Sequence, residues 1–208
     1  QTMDDIVKAA IAKWPNVPHC HGWLGLDARG QWFMRDDRCQ RAGPFALEPG
    51  DTMSASKGSR LLHDKLIEFI HRNCAADEAG QWFFQNGPQR GYLELETTPF
   101  IWRLQPDGRV LAHTGQDAGA VHRSLLDEQG HLYLVTGLGI GLVHTSDMAL
   151  AADAVEAGHW TPEPVQAVER VQVGPELTVG VRDHGGASTE HGVAGEHRPL
   201  SREHERER

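Results

Sequence analysis

No stretch of the sequence approaches the run of about 18 apolar residues that a membrane helix needs. The opening Gln1-Thr-Met-Asp-Asp-Ile-Val-Lys carries no basic segment ahead of an apolar one. Neither a membrane-spanning nor a signal-led chain is expected. Cysteine is scarce: Cys20, Cys39 and Cys74 leave one thiol unpaired under any disulfide scheme, which fits a reducing, cytoplasmic setting. Positive charge is short too, with 20 Lys and Arg against 29 Asp and Glu and a formal net charge of −9. That balance argues against the broad electropositive face a nucleic-acid backbone requires. Several mechanistic signatures are missing: Cys-x-x-Cys, His-Glu-x-x-His, Gly-x-Ser-x-Gly and the Lys-Ser/Thr of a phosphate-binding loop. Aromatic residues stop at Trp160, and 182–208, rich in Gly, His, Glu and Arg, reads as a mobile polar tail.

The chain has 208 residues, and single domains usually hold roughly 100 to 200. One compact body over 1–181 is expected, with a bilobed division into about 1–75 and 76–181 as an option. Its densest aromatic stretch is Gly80 to Leu104. The start of that stretch, Asp77-Glu-Ala-Gly-Gln-Trp-Phe, has counterparts at Asp27-Ala-Arg-Gly-Gln-Trp-Phe and Asp127-Glu-Gln-Gly-His-Leu-Tyr. Gly87 and Gly91 likewise recur at Gly137 and Gly141. The pattern is an internal repeat of turn-strand units.

Taken in order, Asp4 to Trp14 has apolar residues at helical spacing and stops at Pro15. His19 to Leu26 and Gln31 to Met34 form a hairpin, and Arg35 to Gly50 reads as a loop with an isolated Phe45. A helix capped by Ser56 or Ser59 is expected over 57–73, with Leu61, Leu62, Leu66, Phe69 and Ile70 on one face. Trp82-Phe-Phe and Tyr92 to Glu96 read as strands joined by a polar loop, Gln85 to Arg90. A further hairpin turns at Pro106-Asp-Gly. Strands follow to Val143, then a helix from Asp147 to about Glu156, capped by Thr145 or Ser146 and ending at Gly158. Val165 to Val181 gives one or two edge strands.

Few residues suggest chemistry. His19 and His21 would share one face of an extended segment while Cys20 points to the other, and two imidazoles fall short of the three or four ligands zinc takes. Cys39 has Arg35, Arg38 and Arg41 nearby but no evident base. Gly137-Leu-Gly-Ile-Gly141 reads as a turn joining strands. Glu94 and Glu96 share a strand face and could act as acid and base or hold a cation. Gln85, Asn86, Gln89 and Arg90, bracketed by Trp82, Phe84 and Tyr92, offer convergent polar groups beside aromatic walls.

The segments Lys13-Trp-Pro-Asn-Val-Pro, Gly22-Trp-Leu-Gly-Leu-Asp, Trp32-Phe-Met-Arg-Asp-Asp and Trp82-Phe-Phe-Gln-Asn-Gly-Pro-Gln-Arg resemble an uncharacterised proteobacterial family of unknown function, over about residues 3–145. A second such family is similar in layout. The resemblance implies a bacterial, cytoplasmic protein and marks the loop at Gln85 to Arg90. It carries no activity and no catalytic residue.

These readings converge on an α+β fold of repeated hairpin units in antiparallel twisted sheets, packed by two or three helices. The leading functional expectation is a non-catalytic binding or regulatory module, with Gln85, Asn86, Gln89, Arg90, Glu94 and Glu96 binding a small molecule or protein. One alternative is a hydrolase-like or metal-dependent enzyme using Glu94 and Glu96. Another is a structural or assembly protein, with exposed strand edges favouring a homodimer. No cofactor, metal, nucleic acid or membrane partner is called for.

Overall fold

The computed structural model describes residues 3–45 and 55–166, together with the backbone of 170–173 and 176–179. The expected tail over 182–208 lies outside the described residues. Helix α1 (Asp5–Lys13) buries Val7. Its head is fixed by Asp4, whose backbone N–H donates to Asn73 Oδ1 at 2.9 Å and whose carboxylate meets Arg72 at 3.2 Å.

Strands β1 (Cys20–Leu26) and β2 (Trp32–Met34) pair as a hairpin around Asp27. The Asp27 carboxylate accepts from the N–H groups of Arg29 and Gln31, at 2.9 and 2.8 Å, and Gly30 takes φ 77°. Asp77 and Asp127 make the same two bonds in their own turns, each followed by a glycine at φ 82°. The side chain satisfies two turn N–H groups, and only glycine takes that backbone angle without strain. The turns serve different places. Asp77 links β4 (Cys74–Ala76) to β5 (Trp82–Asn86), and Asp127 links β9 (Val121–Asp127) to β10 (Leu132–Thr136).

Three local expectations need correction. The loop from Arg35 holds a short helix, α2 (Asp37–Ala42), because Asp36 caps it by accepting from Cys39 N–H at 2.9 Å. The helix expected from residue 57 begins later, as α3 (Asp64–Arg72), capped by the His63 side chain. Ser59–Arg60 instead forms edge strand β3 against β2, which leaves Leu62 and Leu66 exposed while Ile67 and Ile70 pack inward. The polar loop over 85–90 is shorter than expected. Gln85 pairs with Arg90 and Asn86 with Gln89, so β5 runs into β6 (Gln89–Leu95) through Gly87-Pro88 alone.

The remaining elements are β7 (Phe100–Leu104), β8 (Val110–Ala112), β11 (Gly139–Val143), a 3-10 turn (Thr145–Asp147) leading into α4 (Met148–Glu156), and β12 (Glu163–Val165). A separate backbone hairpin follows, β13 (Arg170–Val173) with β14 (Glu176–Val179). Two six-stranded sheets result, ordered β3-β2-β1-β6-β5-β4 (sheet A) and β12-β9-β10-β11-β7-β8 (sheet B). The fold is α+β. Strands on both sides of residue 75 belong to sheet A. Each sheet joins a hairpin, β1–β2 or β7–β8, to an antiparallel meander, β4–β5–β6 or β9–β10–β11. The joint is parallel in both, β1 with β6 and β7 with β11. Most strand pairs are antiparallel, as expected, and the two joints together with β12 against β9 add parallel pairs. The intervening elements are long enough to bring the chain back in the same direction, which a tight hairpin cannot do.

Sheet A packs Leu24, Leu26, Trp32 and Leu95 against Ile70 of α3. Sheet B packs Phe100, Trp102 and Leu134 with Ala151 of α4, and Ile101, Leu125 and Leu142 form a further cluster. Among the described residues no helix is long and apolar enough to cross a membrane.

Candidate binding cleft

The sheets meet at the Asp27 turn. Gly30 lies so close to sheet B that a Cβ there would come within 2.8 Å of His113 Cβ, and Ala28 joins an apolar cluster of that sheet. Glu96, the residue after β6, accepts from Ala28 N–H at 2.7 Å and holds the turn in place. A cleft of about 250 Å³ opens between the sheets, walled by Trp32, His71, Trp82, Phe100, His113 and Leu138. The rings touch in sequence. Trp82 meets Phe100 edge-on at 5.0 Å, Phe100 meets His113 at 6.1 Å, His113 meets Trp32 at 6.0 Å and His71 at 5.4 Å. Phe100 also stacks on Trp102 at 5.2 Å. Trp102 lies across Gly141, where a Cβ would meet the indole at 2.4 Å. Gly141 thus serves ring packing, and the stretch Gly137 to Gly141 is a turn running into β11.

His71 comes from the inward face of α3 and His113 from the residue after β8. The Trp32 indole N–H donates to His71 Nε2 at 2.8 Å, and the Ile101 backbone N–H donates to His113 Nδ1 at 3.2 Å. Each accepting nitrogen must be the unprotonated one, so the proton sits on His71 Nδ1 and His113 Nε2. Neither of those N–H groups has a hydrogen-bond partner among the described residues. Burial holds the His71 pKa down to about 4. Burial, with His71 nearby, holds that of His113 down to about 3. Both rings are neutral near pH 7 and act as donors.

Cys74 also lines the cleft, and burial pushes its thiol up to about 12. A thiolate nucleophile is therefore not available there. Among the described residues no group of three His, Cys, Asp or Glu is placed to hold a metal ion.

Of the six residues singled out from the sequence, five lie along β5 and β6 and Glu96 follows β6, all away from this cleft's lining. Gln85 is buried, its amide donating to Gly87 O at 3.0 Å, and Gln89 donates to Pro18 O at 3.0 Å. Asn86 is exposed at the hairpin end. The Arg90 guanidinium lies 4.3 Å from the centre of the Phe83 ring. Glu94 makes no hydrogen bond among the described residues, while Glu96 is engaged by Ala28 and approached by Lys57 at 4.0 Å. Lys57 also stands 3.9 Å from Asp27, whose carboxyl burial pushes up despite its turn hydrogen bonds. His19 and His21 flank Tyr92, edge-on at 5.6 Å and stacked at 4.9 Å, and Cys20 lies opposite Gly91. Burial raises the Cys20 thiol as well.

Sequence reasoning passed over His71 and His113. The available signal was a histidine on the apolar stripe of α3, next to Ile67, Ile70 and Cys74.

Comparison with solved structures gives a DUF1285 family protein from Silicibacter pomeroyi DSS-3, at 14% identity over 69% of this chain and 74% of that one, with a TM-score of 0.44. No curated protein matches the chain. Residues 3–194 match the family model DUF2944, described as Protein of unknown function (DUF2946). The chain is a member of that family.

Proposed function

We propose that the chain is a non-catalytic binding protein whose small-molecule ligand enters the cleft between sheets A and B. One observation carries this reading: two imidazoles wall an aromatic cavity, and each keeps an N–H with no partner among the described residues. A few convergent polar groups set in apolar walls are the usual make-up of a ligand site. The same hydrogen bonds speak against acid-base or nucleophilic work, because both imidazole lone pairs are taken and the Cys74 thiol stays protonated.

A second reading rests on the far face of β5 and β6. There Arg90 over Phe83, beside Tyr92 with its two histidines and Asp77, makes a mixed-charge aromatic patch suited to a protein or small-molecule partner.

The test is a fragment screen read on the indole and backbone N–H signals of the 15N-labelled protein, for wild type and Leu138→Trp, which fills the cleft. Hits should shift Trp32 and Trp82 in the wild type and lose that effect in the variant. Hits that shift only signals near Arg90 would move the site to the second surface.

A further inference from the structure

The cleft also specifies what kind of molecule it takes, an argument that rests on the binding reading above. Begin with charge. Among the described residues thirteen line the cleft, and none of them is Asp, Glu, Lys or Arg. A charged ligand would enter a partly dry space with no counter-ion, which is costly. Next, polarity. With Trp32 on His71 Nε2 and Ile101 on His113 Nδ1, the imidazoles offer N–H donors and no free lone pair. They ask for acceptors on the ligand and cannot coordinate a metal ion as they stand. Then shape. Trp32, Trp82 and Phe100 present rings to the space, and aromatic faces and edges favour flat partners. Finally, size. A volume of about 250 Å³ suits a small ring system.

We infer that the cleft binds an uncharged, flat aromatic molecule of one or two fused rings that presents a hydrogen-bond acceptor, such as a ring carbonyl, to His71 and His113.

Three probes of nearly equal size separate the features. Coumarin is neutral and flat with a carbonyl acceptor, naphthalene has the rings without the acceptor, and 2-naphthoate has the rings with a charged acceptor. Binding is followed by the indole signals of Trp32 and Trp82, and zinc ion is titrated in parallel against the imidazole signals. Coumarin is expected to bind at least tenfold more tightly than either other probe, with zinc leaving His71 and His113 unmoved. In His113→Phe the preference for coumarin over naphthalene should vanish while naphthalene still binds. His71→Phe is the second variant, and the wild-type comparison decides the matter if neither folds. Equal binding of all three probes would overturn the ligand class and leave the cleft as a binding site. Tighter binding of 2-naphthoate, or zinc held by the imidazoles, would also overturn the class. No shift at Trp32 or Trp82 with any probe would overturn both the class and the binding reading.

Discussion

Trp32 and His71 are joined by a 2.8 Å hydrogen bond that runs from sheet A to helix α3 and fixes which imidazole nitrogen carries the proton. Trp32→Phe removes the donor. His71 should then switch tautomer or lose its fixed one, visible in long-range 15N–1H spectra of the ring. The loss of the bond and of ring volume should cost at least about 1 to 3 kcal/mol in urea unfolding. An unchanged tautomer would mean that another group sets it.

Acid should destabilise the protein earlier than its carboxylates alone would. The folded chain holds His71 near 4 and His113 near 3, both lowered from 6.5 by burial. Below about 6.5 the unfolded chain takes up protons that the folded chain refuses, so this share of stability is whole above that pH and is lost as pH falls toward 4 and 3. Each ring contributes a slope of about 1.4 kcal/mol per pH unit in that window. Urea unfolding from pH 7 to pH 4.5 should show it, and His113→Phe should flatten the slope by roughly half.

Three glycines in equivalent turns separate backbone strain from contact. Gly30, Gly80 and Gly130 share φ between 77° and 82°, but only Gly30 has a neighbour that an added Cβ would strike. Gly80→Ala and Gly130→Ala should each cost about 1 to 2 kcal/mol for the left-handed backbone. Gly30→Ala should cost clearly more and shift the His113 signals. Equal costs at all three positions would show that the turn meets sheet B loosely.

Glu94 and Glu96 should behave differently although the sequence suggested one shared strand face: Glu94 lies in β6 and Glu96 just beyond it. Glu96→Ala frees the Ala28 N–H and loosens the Asp27 turn, at about 1 to 2 kcal/mol. Glu94→Ala should stay within about 0.5 kcal/mol. A large loss of any ligand-binding activity in Glu94→Ala with unchanged stability would revive a functional role for the pair.

Much of the fold was legible because its turns are written in local chemistry. Asp-x-x-Gly followed by a polar residue dictates its own hydrogen bonds, so the hairpins at 27, 77 and 127 could be placed from composition. What depends on distant partners was not legible. The constant spacing suggested equivalent units, yet Asp27 opens a hairpin while Asp77 and Asp127 open meanders. The parallel joints, the late start of α3 and the shortness of the 85–90 turn are settled by which strand lies alongside. The cleft was hidden for the same reason. His71 and His113 are far apart in sequence and acquire meaning only when the sheets meet.

The two meanders also show how loosely a required contact binds a residue to a position. In one, Tyr92 donates its hydroxyl to Asp77 at 3.0 Å from β6, with Phe83 opposite it on β5. In the other, Tyr133 reaches Asp127 at 3.3 Å from β10, with Leu142 opposite it on β11. The phenol has crossed to the other strand of the same rung while the aspartate has kept a hydroxyl partner. Relatives should therefore be free to exchange tyrosine with an apolar residue across that rung, and in this chain Phe83→Tyr with Tyr92→Phe should recover what Tyr92→Phe alone gives up.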